Sequence, residues 1–348
     1  MTIISSKSLQ TTRETWGSAV QLTADLWRIR LSNTRGALLV NTYVYSTDGY
    51  VAVIDPGWPW TLDRLEEALR DLKLATSLAQ VDKWLYTHSH IDHMGAAVLL
   101  HKRSKAPHVV WPWVAHELDS WHSFQDRIND WRPWAESAFA EPMRSELAAL
   151  DEKRRRDWPM ATMISAFGEG QIENLEWTDV GQTIAIGDLR LEVLDARGHD
   201  PYHIAFWEPE RRWLFSGDVV LATPTPIGRA MLDDITLYEQ SLARLGALDT
   251  ALLLPGHGMH HSEDIPRAFS RAQDHLDHYR QGALRALYES GLEPLDLYTL
   301  SVSMTAERQP LVPEARWWVH LALVDSHLQK LVAEGLVERV EGPRYQLR

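Results

Sequence analysis

No cysteine occurs among the 348 residues, so neither a disulfide nor a thiolate metal ligand is available. That absence fits a reducing compartment, and a cytoplasmic location is expected. Long apolar runs are missing too, because nothing approaches the roughly 18–20 unbroken residues that a spanning helix needs. Met1 to Gly17 has no apolar h-region and no basic cluster, so a soluble chain without a removed leader and without a membrane partner is expected. Positive charge is in deficit: 35 Lys and Arg stand against 48 Asp and Glu, a formal net charge of -13. A polyanion would need a local basic face against that field.

Hydrophobic residues make up 45% of the chain and charged residues 24%, which is enough to bury a sizeable core. The length suits one principal domain with an insertion or appendage. Leu26–Leu31, Leu38–Ser46 and Tyr50–Ile54 read as strands, with a hairpin turn at Thr47-Asp48-Gly49. Thr61–Lys73 reads as a helix with Thr61 as its N-cap, since Leu62, Leu65, Ala68, Leu69 and Leu72 share one face. Val81–Thr87 is a further strand, and Met94–Lys102 looks helical. From Ile172 the β texture returns, with strands at Gln182–Ile186, Leu189–Asp195, His203–Glu208 and Arg212–Ser216, a helix at Ile235–Ala247 and an apolar run at Ala251–Leu254. Two β-rich halves, each with helices, predict an α/β fold: a two-sheet αββα sandwich with helices outside.

Between them, about 111–170 is charged, helical in pattern and holds six of the 16 tryptophans: 111, 113, 121, 131, 134 and 158. This insertion reads as a lid that makes an aromatic pocket, as a helical hairpin buried against the core, or as both. Lys153–Arg156 lies between Glu152 and Asp157 and reads as a solvated helical face. Domain boundaries are placed at 18–262 for the principal domain, 263–291 for a connecting helix and 292–348 for a small winged-helix-like unit. In that unit Glu314–Glu334 is the main helix, Gly335 its cap, and Val337–Val340 with Tyr345–Leu347 a wing. From Glu293 to Arg348 there are eight acidic and six basic residues, and the main helix shows no basic stripe. Nucleic-acid binding is therefore disfavoured, and a homodimer surface or a wall of the active site is the expected role.

The residues that carry chemistry are His88-Ser89-His90-Ile91-Asp92-His93, just past a predicted strand. Three imidazoles and a carboxylate in six positions suit zinc, iron or manganese. In an extended segment His88 and His90 point the same way and can grip one ion, whereas Asp92 and His93 lie beyond the turn, where a second ion can sit. His199, Asp218 and His257 each follow a predicted strand and each stand next to glycine, which lets the backbone turn tightly at a crowded centre. No Gly-x-Ser-x-Gly elbow offers a serine nucleophile.

These motifs resemble the metallo-β-lactamase superfamily from about Leu26 to His261, apart from the insertion. The resemblance implies that His88, His90 and His199 bind one ion, that Asp92, His93 and His257 bind another, and that Asp218 bridges them. Asp55, in Ile54-Asp55-Pro56-Gly57, matches the early aspartate of the family and would support the metal-binding histidines. Asp218 stands where common β-lactamases use cysteine, so the pattern is that of glyoxalase II-like thioesterases, lactonases and phosphodiesterase relatives. His199-Asp200-Pro201-Tyr202-His203, Pro255-Gly256-His257-Gly258, Asp218–Thr223 and Tyr238–Leu242 are most similar to a branch with a C-terminal winged helix, which includes an endoribonuclease and polyketide thioesterases. Gly258-Met259 departs from the acidic residue and tyrosine of true glyoxalase II, which weakens the case for a glutathione thioester. The expected function is hydrolysis of a small-molecule thioester or other activated acyl compound with an apolar or aromatic group. Hydroxide shared by two divalent ions, zinc first, would attack, with Asp92 orienting the water. Lactonase, phosphodiesterase or ribonuclease activity, and di-iron O₂-dependent oxidation on the same ligands, are the alternatives. His203, close behind a ligand loop, is an expected substrate contact.

Overall fold

The computed structural model describes residues 18–32, 39–115, 132–139, 145, 149, 171–221, 234–291, 293–305, 314–340 and 342–348. The first half folds as a seven-stranded sheet in chain order: β1 (Ala19–Gln21), β2 (Leu26–Ser32), β3 (Leu39–Thr47), β4 (Tyr50–Ile54), β5 (Lys83–Leu85), β6 (His108–Val110) and β7 (Leu175–Trp177). Pairing is antiparallel through β4 and parallel from β4 to β7. Asp48 and Gly49 both take positive φ, 47° and 82°, which is the two-residue turn that matches strand twist and pairs Thr47 with Tyr50.

The second sheet runs β12 (Leu252–Pro255), β11 (Trp213–Gly217), β10 (Ile204–Glu208), β9 (Leu189–Asp195), β8 (Thr183–Ile186), with only β11 and β12 parallel. Along β9 the side chains Leu189, Leu191 and Val193 are buried while Arg190 and Glu192 are exposed, because one face of that strand is open to water. Strands β10 and β11 are buried along their whole length. One of their faces joins the inter-sheet core through Phe206 and Phe215, and the other is covered by helices.

Those helices are α5 (Ile235–Gly246) and α6 (Ile265–Glu289), which pack Tyr238, Leu242, Ala272 and Leu276 on Ala205, Leu214 and Leu253. Asp234 caps α5 by accepting from the N–H groups of Thr236 and Leu237. The first sheet carries α1 (Leu62–Asp71), with Leu62, Leu65, Ala68 and Leu69 buried, and α2 (Ala97–Arg103). The αββα expectation holds. Thr61 takes the N-cap position of α1, but its side chain does not cap the helix: its hydroxyl donates to the carbonyl of Trp58 at 2.9 Å. The strand expected at Val81–Thr87 keeps only Lys83–Leu85, since residues 86 and beyond already turn into the polar loop.

Of the insertion, α3 (Pro112–Ala115) and α4 (Arg132–Ala138) are described, whereas Trp121, Trp131, Trp158 and Lys153–Arg156 lie outside the described residues. Trp111 belongs to the main core. Trp134 packs with Leu297, Leu321 and Leu328 of the C-terminal unit, and its Nε1 donates to the buried carboxylate of Asp325 at 2.9 Å. Neither described tryptophan of the insertion with a placed side chain is free to line an aromatic pocket. We expect Trp134→Phe to lower stability by about 2–4 kcal/mol, from lost volume and an under-donated buried carboxylate, with metal content unchanged. Thermal unfolding and elemental analysis of the same preparation check this.

The C-terminal unit consists of β13 (Leu295–Asp296), α7 (Leu297–Thr305), α8 (Glu314–Ala333), β14 (Val337–Val340) and β15 (Arg344–Leu347), with an antiparallel sheet ordered β13-β15-β14. Gly335, at φ 74°, ends α8, and the N–H of Leu336 donates back to the carbonyl of Leu331. Among the described residues no helix is long and apolar enough to cross a membrane.

Candidate metal centre

All seven expected ligands converge at the carboxyl ends of strands. The loop after β5 supplies His88, His90, Asp92 and His93, the β9–β10 loop supplies His199, and the ends of β11 and β12 supply Asp218 and His257. One ligand atom from each of His88, His90, His199 and Asp218 lies within 4.8 Å of the others, and the same holds for Asp92, His93 and His257. Asp218 reaches into both groups. Its Oδ2 is 3.5 Å from His199 Nε2 and 3.3 Å from His257 Nε2, and its Oδ1 is 3.5 Å from His93 Nε2.

The histidines are aimed by what their other nitrogens do. Asp55 accepts the main-chain N–H and the hydroxyl of Thr87, both at 2.8 Å, and takes His93 Nδ1–H at 2.9 Å. The Thr87 oxygen in turn faces His88 Nδ1 at 3.0 Å. One carboxylate thus fixes the tautomer of a ring in each group, so that His88 Nε2 and His93 Nε2 present lone pairs to the centre. Both of these nitrogens are buried without a hydrogen-bond partner, as is Asp218 Oδ1. Asp55 sits at φ 53°, a strained conformation for a non-glycine residue held by these contacts.

Asp200, which lies in the motif around His199, stands beside His90. Fully buried, it accepts from the Ser89 hydroxyl and the Tyr202 N–H, both at 2.6 Å, and lies 3.5 Å from His90 Nε2. His90 Nδ1 then faces inward, 3.1 Å from His199 Nε2. The signal was only adjacency to His199, and nothing in spacing links Asp200 to a ring in the first half of the chain.

Electrostatics match a cation site. Burial, and then neighbouring imidazoles, push His88 well below its ordinary protonation range, and burial brings His199 down to about 4, so both rings are neutral donors. Burial also opposes a charge on His93, but Asp218, Asp55 and Asp92 outweigh it and raise the ring to about 9. Likewise, Asp218 and Asp92 overcome burial and hold His257 well above its usual value. Three buried carboxylates demand positive charge, and either protons on these rings or divalent ions supply it.

His203 corrects its expectation as a substrate contact. It has no exposed surface, stacks on His88 at 4.6 Å and 18°, and its Nε2 accepts the N–H of Asp218 at 3.0 Å. Burial keeps the ring neutral, as an acceptor must be. It stands behind the ligands and fixes Asp218.

A family model for the metallo-beta-lactamase superfamily matches residues 35–257, the stretch that contains every residue of this centre. The chain belongs to the metallo-beta-lactamase superfamily. A beta-lactamase-like protein 2 homolog of Caenorhabditis elegans is 23% identical over 301 residues, 86% of this chain and 80% of that protein. Hydroxyacylglutathione hydrolase GloC of Haemophilus influenzae is 26% identical over 221 residues, 62% of this chain and 83% of that one. In structure, a metallo-beta-lactamase family protein of Thermus thermophilus superposes with a TM-score of 0.69 at 23% identity, covering 94% of this chain and 100% of its own. That superposition extends the shared fold past the superfamily domain into the C-terminal unit.

Proposed function

We propose that this chain is a dinuclear hydrolase acting on a thioester or other activated acyl compound with an apolar or aromatic group. The observation that carries the reading is the placement of Asp218 within 3.5 Å of ring nitrogens from both ligand groups. In this reading His88, His90 and His199 hold one ion, Asp92, His93 and His257 the other, and Asp218 bridges. The converging lone pairs, the neutral His88 and His199 and the unpartnered Asp218 Oδ1 fit two divalent ions, zinc foremost. Such ions supply a water deprotonated near neutral pH and polarise a substrate oxygen.

The protein's own contribution is direction. His88 and His93 form a closed floor, whereas His90 and His257 are the least buried members, so in this reading substrate enters over them. In this reading Asp92, 3.2 Å from His257 Nε2, orients the attacking water. GloC, by its name a hydroxyacylglutathione hydrolase, supports a thioester, and Met259 at 42% exposure stands beside the ligand loop in place of the polar residues of true glyoxalase II. An apolar acyl group suits the exposed Met259. The C-terminal unit, read as winged-helix-like, is proposed as a structural wall rather than a reader of nucleic acid.

Elemental analysis of the full chain purified without added metal, beside a panel of acyl-CoA and simple thioesters, lactones and phosphodiesters, tests the reading. The expected result is about two ions per chain and the highest kcat/KM for a thioester. Faster cleavage of a lactone or phosphodiester than of every thioester, or turnover that consumes O₂, would overturn it.

A further inference from the structure

His257 comes from the second half of the chain, yet the first sheet holds its loop. Asn41, fully buried in β3, donates through Nδ2 to the carbonyls of Pro255 at 2.8 Å and Gly258 at 3.0 Å. Its main-chain N–H donates to the carbonyl of Gly256 at 2.7 Å. Three of the four carbonyls in Pro255-Gly256-His257-Gly258 are therefore gripped by one residue. Others assist: the Tyr43 hydroxyl donates to Pro255 O at 2.8 Å, and Arg30 Nη2 donates to Gly258 O at 2.6 Å. The ring itself is turned by its Nδ1–H, which donates to Leu39 O at 2.6 Å, close to Asn41 on the same strand.

The orientation of the Asn41 amide follows from its partners. Both are acceptors, so the nitrogen must face them, and Oδ1 is left buried without a hydrogen-bond partner. A buried oxygen without a donor is unfavourable, and an apolar side chain would avoid it. What the side chain gives the loop is its two donors. Those donors flank the one residue whose Nε2 must sit 3.2 Å from Asp92 Oδ2 and 3.3 Å from Asp218 Oδ2.

We infer that Asn41 is a positioning residue for His257 and sets the affinity of the Asp92–His93–His257 group for its ion without contacting that ion. Among the described residues nothing equivalent ties it to the His88–His90–His199 group, so its effect is selective for one of two sites. The inference rests on the dinuclear reading above.

The test is stepwise binding of Zn²⁺ to the metal-stripped full chain, followed by competition with a chromophoric chelator. Wild type shows two steps, and His257→Ala identifies which step belongs to its group. Asn41→Ala is expected to weaken that step about 10–100-fold and to leave the other within about twofold. In the His257→Ala background, Asn41→Ala should add no further loss, since there is no ring left to place. Arg30→Met, which removes a grip on the same loop from a less buried position, should weaken the same step by a smaller factor, and it carries the test if the buried variant does not fold. Equal weakening of both steps, no weakening, or full additivity with His257→Ala overturns the inference while leaving the dinuclear reading intact. A wild-type chain that binds fewer than two ions overturns the dinuclear reading itself, and shows it before any variant is made.

Discussion

Asp218→Ala is expected to leave about one ion or fewer per chain and to cut kcat/KM by about 10³-fold or more. Every other ligand belongs to one group, whereas this carboxylate stands within 3.5 Å of His93, His199 and His257 together. Its removal takes a ligand from both groups and also takes charge. Against burial, Asp218 is the leading influence that holds His93 and His257 protonatable, so both rings lose basicity as well as a partner. Supporting carboxylates alone are worth about 10–100-fold in metal affinity, and a shared ligand must exceed that. The loop should survive, because the main-chain N–H of residue 218 still meets His203 Nε2. Circular dichroism and elemental analysis of one preparation separate folding from metal loss. Two ions retained in the variant would sink the bridging assignment.

Gly256→Ala should be nearly as severe, although it adds only a methyl group. A Cβ there would lie 2.2 Å from Asp218 Oδ1 and 2.6 Å from His93 Cε1, well inside contact distance. The backbone cannot retreat easily, since its N–H donates to Gly217 O at 2.8 Å and its carbonyl accepts from Asn41 N–H at 2.7 Å. Asp218, shared by both groups, and His93 must move instead. A shift near 1 Å at reacting groups is worth about 10²-fold in rate, and the overpacking costs about 1–3 kcal/mol of stability. Kinetics on the preferred substrate, with metal content and melting temperature measured alongside, check the expectation. Wild-type kcat with full metal content would show that the site tolerates far more displacement than its packing implies.

The His/Asp cluster was legible because each member obeys a local rule. Four crowd one loop, and His199, Asp218 and His257 each stand at a strand end beside glycine. Asp55 was legible by its match to the family, and its hydrogen bonds to Thr87 and His93 give that match a physical content. What escaped is whatever depends on pairing between distant segments. Asn41 looks like any polar residue in a strand, and its meaning lies in carbonyls beyond position 250. Asp200 escaped for the same reason. His203 misled because nearness in sequence to a ligand was taken for nearness to substrate, and the strand that begins at Ile204 turns it into the interior. Strands β1, β6 and β7 have three residues each, too few for any alternation to register. Trp134 was noticed, but no periodicity could say that its partner was Asp325.

Helix α6 contributes Ala268, Ala272 and Leu276 to the core behind the second sheet, and Ala283, Ala286 and Leu287 to the core of the C-terminal unit. Tyr279 touches both. A rigid rod shared by two cores makes their melting interdependent: loosening either end strips half the helix of its burial and weakens the hydrogen-bond ladder that the other end uses. Opening of the C-terminal unit is thereby linked to the layer that supports β11 and β12, the strands whose ends present Asp218 and His257. Slow amide exchange should run without a break along the whole helix, and the C-terminal unit should behave as part of the same cooperative unit as the metal centre.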